Sequence, residues 1–240
     1  MSSQFSLIRN IDVDREQTWK NDVFLTFDID WASDSILNHC IDIVEKAEVH
    51  ATWFVTHETP VLGRLRENPK FDLGIHPNFN FLLNGQSSEQ PNAEKIVDEI
   101  LRIVPEAKTV RSHSMTQSTG LLKLFHDKGM THDCNHFIPY QSGMDIKPWA
   151  LWTGLTKVPY FWEDDLECVY GHQRPVLDLM NMPGLKVFDF HPIHVFLNTE
   201  DLDRYERTRD IHHHPDLANH VNQGDIGARA SLESFLRGFQ

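Results

Sequence analysis

The sequence predicts an α/β fold built on a mainly parallel sheet. Three observations carry this. Short apolar runs rich in β-formers alternate with segments of helical periodicity, the candidate strands end in polar residues, and no glycine-rich phosphate loop follows any of them. The first two fit a barrel whose strand ends share one face. The third weakens the nucleotide-binding version of an open, doubly wound sheet.

Taken in order, the first strand is "VFLTFD", residues 23–28, with Asp30 just beyond its closing carboxylate, Asp28. Side chains alternate along a strand, so Asp28 and Asp30 are expected on one face and Ile29 on the other. Two like charges on one face are tolerable beside a cation or in a solvated cleft. Residues 34–47 place Ile36, Leu37, Cys40, Ile41 and Val44 at helical spacing. A strand over 49–56, a short helix over 59–68 with proline near its first turn, and a strand over 71–76 follow. The polar stretch 77–92 reads mostly as loop. The segment 93–104 is a helix with Ile96, Val97, Ile100, Leu101 and Val104 on one face. Residues 108–113 read as a strand and 119–129 as a helix stopped by Gly129. Pro139, Pro148 and Pro159 break 131–172 into short strands and loops. A strand over 185–192 and a helix over 228–239 complete the reading.

A chain of 240 residues that is 40% hydrophobic suits one domain over residues 1–240. Its formal charge of −13 argues against nucleic acid and anionic membranes as partners. Cys40, Cys134 and Cys168 are odd in number and widely spaced, which points to a reducing compartment rather than a disulfide framework. There is no basic segment followed by an apolar run at the N-terminus, and no stretch long enough to span a bilayer, so a soluble, cytoplasmic protein without membrane insertion is expected.

The strand ends supply, in order, Asp28 and Asp30, His57 and Glu58, His76, Arg111 and His113, and His191. On a barrel these converge at one face. In "GIHPNFN", Pro77 suits the first position of a helical turn, which would bring Asn80 beneath His76. The strand signal around Arg111 in "TVRSH" would bury its stem, and His191 follows an apolar strand that Pro192 ends. Trp162 in "YFWEDD" reads either as core or as a wall for a sugar ring. His212, His213 and His214 read as a solvated loop.

These residues resemble the polysaccharide deacetylase family, the carbohydrate esterases with a NodB-type domain. "TFDID" is similar to its first motif and "GIHPNFN" to its second, usually H-S/T-x-x-H. "VRSH" resembles the third, "PYFWEDD" the fourth and "FDFHP" the last. The similarity runs from about residue 23 to 192, and more narrowly it is to a branch associated with bacterial O-antigen and other surface-polysaccharide clusters. The resemblance implies a distorted (β/α)7 barrel and removal of acetyl groups from N- or O-acetylated sugars with one divalent metal: zinc, manganese, cobalt, nickel or magnesium. By motif position, Asp28 would be the general base, Asp30 and His76 metal ligands, Arg111 the residue that orients Asp28, and His191 the general acid. The family's second metal-binding histidine is Asn80 here. Its neutral amide oxygen would favour harder ions such as manganese, magnesium or calcium, with His113 or His194 as alternative third ligands. The expected substrate is a small acetylated sugar or glycan precursor. The competing readings are a non-hydrolytic carbohydrate-binding or regulatory protein with a weakened metal site, and a hydrolase of non-sugar amides.

Overall fold

A computed structural model of the chain describes residues 4–83, 92–172 and 174–238. Strand β1 (Phe5–Ser6) lies beside β2 (Val23–Asp28); α1 (Asp34–Ala47), β3 (Ala51–Val55), α2 (Val61–Glu67) and β4 (Phe71–Ile75) follow. Then come α3 (Asn80–Leu83), α4 (Ala93–Ile103), β5 (Thr109–Val110), α5 (Thr119–Asp127) and β6 (His132–Asp133). The remainder comprises β7 (Trp149–Ala150), β8 (Thr156–Lys157), β9 (Trp162–Glu163), α6 (Asp164–Tyr170) and α7 (Val176–Met180), then β10 (Lys186–Phe190), α8 (Pro192–Leu197), α9 (Leu202–Thr208) and α10 (Ala228–Arg237).

The sheet is a mixed α/β curl in the order β7-β8-β6-β5-β4-β3-β2-β10-β9, parallel except for the β7–β8 pair. The segment from β8 to β9 pairs first with β6, then bridges Tyr160 to Phe137, then joins β10. It therefore brings the two sides of the curl together, as expected of a distorted barrel.

Strands β2 and β10 are adjacent, each flanked by parallel partners, and are buried throughout, which is why their sequences are mostly apolar. Phe27 stacks on Trp53 with ring centroids 4.1 Å apart, and Phe235 of α10 closes on Phe188 at 4.6 Å. Each such ring contributes roughly 1.5–3 kcal/mol by burial. Gly74 on β4 is a close approach: a Cβ there would lie 2.4 Å from Thr109 Oγ1 and 2.6 Å from the Phe54 ring.

Several boundaries differ from the sequence reading. The strand expected over 108–113 pairs only at Thr109–Val110, because His113–Met115 turns, with Ser114 (φ 55°) and Met115 (φ 51°) in the left-handed region. The helical turn expected from Pro77 starts three residues later, at Asn80. Part of the 77–92 loop, residues 84–91, lies outside the described residues. Within 131–172, "DDLECVY" is a helix ended by Gly171 in the left-handed conformation.

Candidate active site

Strand β2 delivers Asp28 at its last position. Asp30 arrives differently from the simple alternation expected: the strand has ended, and Asp30 (φ 37°) and Trp31 (φ 54°) adopt left-handed backbone. Non-glycine residues held this way store about 1–3 kcal/mol each, which a functional turn can justify. The Trp31 N–H donates to Thr56 Oγ1 at 3.1 Å, which anchors the turn.

Asp28 and Asp30 line one cavity of about 210 Å³ with His76, Arg111, His113, Tyr160, Glu163, Asp165 and His191. Arg111 is 1% exposed. Its Nη1 donates to Asp28 Oδ1 at 3.0 Å and to Asp189, and its Nη2 donates to Thr26 Oγ1 at 3.0 Å. The guanidinium is clasped between the Phe54 and Tyr160 rings, 4.5 and 4.4 Å from their centroids. Burial works against its charge, but Asp189 and Asp28 hold the Arg111 pKa well above its ordinary value. Burial raises Asp189 to about 7, with Arg111 opposing.

On the other wall, His191 Nδ1 lies 2.8 Å from Asp164 Oδ1, and the His191 backbone N–H donates to Asp164 Oδ2 at 2.9 Å. Burial opposes the charge of this imidazole, yet Asp164, helped by Asp30 and Asp165, lifts its pKa well above the ordinary histidine value. Its Nε2 faces the cavity, 3.8 Å from Asp30 Oδ2 and 3.9 Å from Glu163 Oε1. Burial, reinforced by Asp165, pushes Glu163 well above the usual carboxylate range.

Between these walls, Asp30 Oδ1, His76 Nε2 and His113 Nδ1 form a near-equilateral triangle with sides of 3.2, 3.3 and 3.4 Å. Ligands bound tetrahedrally at about 2.0–2.1 Å stand about 3.3–3.4 Å apart, so the donor set fits a divalent ion. Asp30 Oδ1 is also buried with no hydrogen-bond partner among the described residues. Although burial works against its charge, His113 and His76 hold the Asp30 carboxyl well below its usual range. Two further groupings have donor atoms within 4.8 Å of one another, Asp28–Asp189–His191 and Glu163–Asp165–His191. In the first, Arg111 already engages both carboxylates.

A family model for WbmS-like polysaccharide deacetylases matches residues 25–209. The chain belongs to the WbmS-like polysaccharide deacetylases. A crystal structure from Bordetella bronchiseptica, assigned as a polysaccharide deacetylase involved in O-antigen biosynthesis, shares 42% identity and superposes with a TM-score of 0.92, over 98% of this chain and 97% of that one. A Mycobacterium smegmatis structure assigned as a polysaccharide deacetylase is 15% identical, with a TM-score of 0.47 over 90% of this chain and 89% of that one. No curated protein matches the chain.

Against this WbmS-like frame, Asp28, Asp30, His76, Arg111, His113 and His191 all line the cavity. Five other sequence candidates do not: His57, whose Nδ1 lies 2.8 Å from Thr56 Oγ1, Glu58, Asn80, His194 and Trp162. Asn80 is not among the lining residues: residues 77–79 are not helical, so the four-residue spacing does not put it under His76, and its Nδ2 donates to Ser114 Oγ at 3.1 Å. His194 is buried on α8 with Nδ1 3.1 Å from the Thr199 hydroxyl, and burial lowers its pKa to about 3. Trp162 is 2% exposed and packs on Phe188 and Phe190 rather than walling the cavity. Strand alternation explains it: Trp162 and Glu163 are neighbours on β9, so when Glu163 faces the cavity Trp162 cannot. His212 packs on Tyr205, and His212, His213 and His214 border a separate cavity of about 350 Å³. Asp164, Glu163 and Asp189 were missed, and the run "WEDD" with the alternating "FDFH" was the available signal.

Proposed function

We propose that the chain is a metal-dependent hydrolase that removes an acetyl group from an N- or O-acetylated sugar or glycan precursor. The observation that carries the reading is that the Asp28–Arg111 and His191–Asp164 pairs both adjoin the Asp30–His76–His113 triangle, Asp28 3.5 Å from His76 and His191 3.8 Å from Asp30. Asp30, His76 and His113 would hold the ion, with His113 in the role that the family's second motif gives to the position of Asn80. Two imidazoles with one carboxylate favour zinc and the other late first-row ions over magnesium. When bound, such an ion would supply Lewis-acid chemistry, making the acetyl carbonyl more electrophilic and water more acidic.

The side chains of the chain do the proton work. Arg111 fixes Asp28 through Oδ1, and Asp28 Oδ2, which lies 3.5 Å from His76 Nδ1 and so beside the ligand triangle, takes the proton of the attacking water. Asp164 fixes the His191 ring through Nδ1 and keeps it charged, so Nε2 delivers a proton to the leaving nitrogen or oxygen. A cytoplasmic setting suits the free Cys40, Cys134 and Cys168 and favours a sugar nucleotide or lipid-linked precursor as substrate.

Acetate release from a panel of N-acetylated sugar nucleotides, with and without added zinc, cobalt, nickel and manganese, tests the reading. Metal-dependent release that Asp28→Asn abolishes while metal content stays constant supports it. A folded, metal-loaded protein that releases acetate from none of them rejects it.

A further inference from the structure

We infer that Glu163 recognises the nitrogen of the leaving group, which makes the site selective for N-acetyl over O-acetyl sugars; the inference rests on the deacetylase reading above. On β9, Glu163 stands opposite Asp189 of β10, so both side chains point to the cavity face of the sheet. Glu163 Oε1 is 3.9 Å from His191 Nε2, the atom that gives up its proton. A leaving atom that takes this proton on the Glu163 side of the ring therefore comes within reach of the Glu163 carboxyl. Among the described residues His191 is the only cationic group paired with Glu163, and Asp165 lines the same wall; burial and Asp165 favour the neutral form of Glu163, and a cation arriving beside it reverses that preference, so this side of the cavity favours a positive charge on the substrate.

The two possible substrates differ at that atom. In amide hydrolysis the water oxygen bonds to the acetyl carbon while Asp28 takes a water proton. The C–N bond then breaks with its electron pair on nitrogen, which accepts the His191 proton. The products are an amine and acetic acid, and the acid's proton ends on the amine, giving acetate and an ammonium group. An ester follows the same steps, with the C–O electron pair and the His191 proton going to oxygen, but the released alcohol stays neutral. A carboxyl group beside the leaving atom therefore stabilises the amine product and its precursor selectively, by a charge-assisted hydrogen bond that an alcohol does not match.

The test is a matched pair drawn from the sugar nucleotides above: one N-acetylated and its counterpart O-acetylated at the same ring carbon, assayed by acetate release with parent, Glu163→Gln and Glu163→Asp, all checked for equal metal content. Expected is a fall of about 10-fold or more in the ratio of kcat/KM for the N-acetyl over the O-acetyl substrate in Glu163→Gln, with partial recovery in Glu163→Asp, which keeps the charge. An unchanged ratio in Glu163→Gln, whether both activities fall together or neither falls, overturns the inference and leaves the deacetylase reading standing. A metal-loaded parent that releases acetate from neither substrate overturns the deacetylase reading and this inference with it.

Discussion

Replacing Asp164 by Asn removes one negative charge and one of the two acceptor oxygens that meet His191, so an amide NH2 must face either the ring Nδ1 or the backbone N–H. The perturbation therefore removes the charge and loosens the hold on the tautomer together. In the parent, Asp164 meets both the ring Nδ1, at 2.8 Å, and the backbone N–H of His191, at 2.9 Å, and Asp164 itself is 1% exposed. Unit charges about 4 Å apart at an effective dielectric of about 20 attract by about 4 kcal/mol, which is roughly a thousandfold in rate if His191 must be charged to act. Asp164 raises the proton affinity of His191, so without it the ring loses its proton at lower pH. The alkaline limb of the kcat/KM profile should then move to lower pH, and the plateau should fall by about 10²–10⁴-fold. Acetate release across pH 5–9 is the assay, with metal content measured alongside. A variant whose alkaline limb stays in place and whose activity stays within about threefold of the parent would show that His191 is not the acid.

Arg111→Lys should be destabilising, because an ammonium cannot span Asp28, Asp189 and Thr26 while stacking between two rings. A loss of about 1–3 kcal/mol in denaturant unfolding is expected, as for a buried acceptor left unpaired while the charge is kept. Gly74→Ala drives a methyl into Thr109 and the Phe54 ring that supports Arg111, so a loss of about 1–3 kcal/mol is expected, measured as a lowered Tm; an unchanged Tm would mean that the strands separate freely. His194 is held neutral by burial with a pKa of about 3, while the unfolded ring takes its proton near pH 6.5. Its contribution is present above about pH 6.5 and is lost as pH falls towards 3, up to about 5 kcal/mol, so His194→Gln should flatten the acid limb of stability against pH.

Much of the site was legible because buried parallel strands announce themselves as apolar runs, and a carboxylate or histidine at the end of such a run is conspicuous. Asp28, His76 and His191 were visible in this way. His113 was harder to rank, since β5 is only two residues long and left-handed backbone at Ser114 and Met115 follows it; no periodicity describes such a turn. Asn80 drew attention through a helical spacing that the chain does not adopt. Asp164 was one of three consecutive acids, and only the start of α6 at that residue and its contact with His191 distinguish it from Glu163 and Asp165. Trp162 is a different case, because alternation with Glu163 could have placed it in the core from the sequence alone. The α8–α9 region was left without assignment, its helices being six and seven residues long and too short for a periodic signal.

The central claim is that Asp30, His76 and His113, and not Asn80, hold a divalent ion. Zinc titration by calorimetry of the parent, His113→Ala and Asn80→Ala tests it most directly. The account predicts one zinc per chain in the parent, affinity lowered by about 100-fold or more in His113→Ala, and affinity within about threefold of the parent in Asn80→Ala. Loss of zinc from Asn80→Ala with retention by His113→Ala would contradict it.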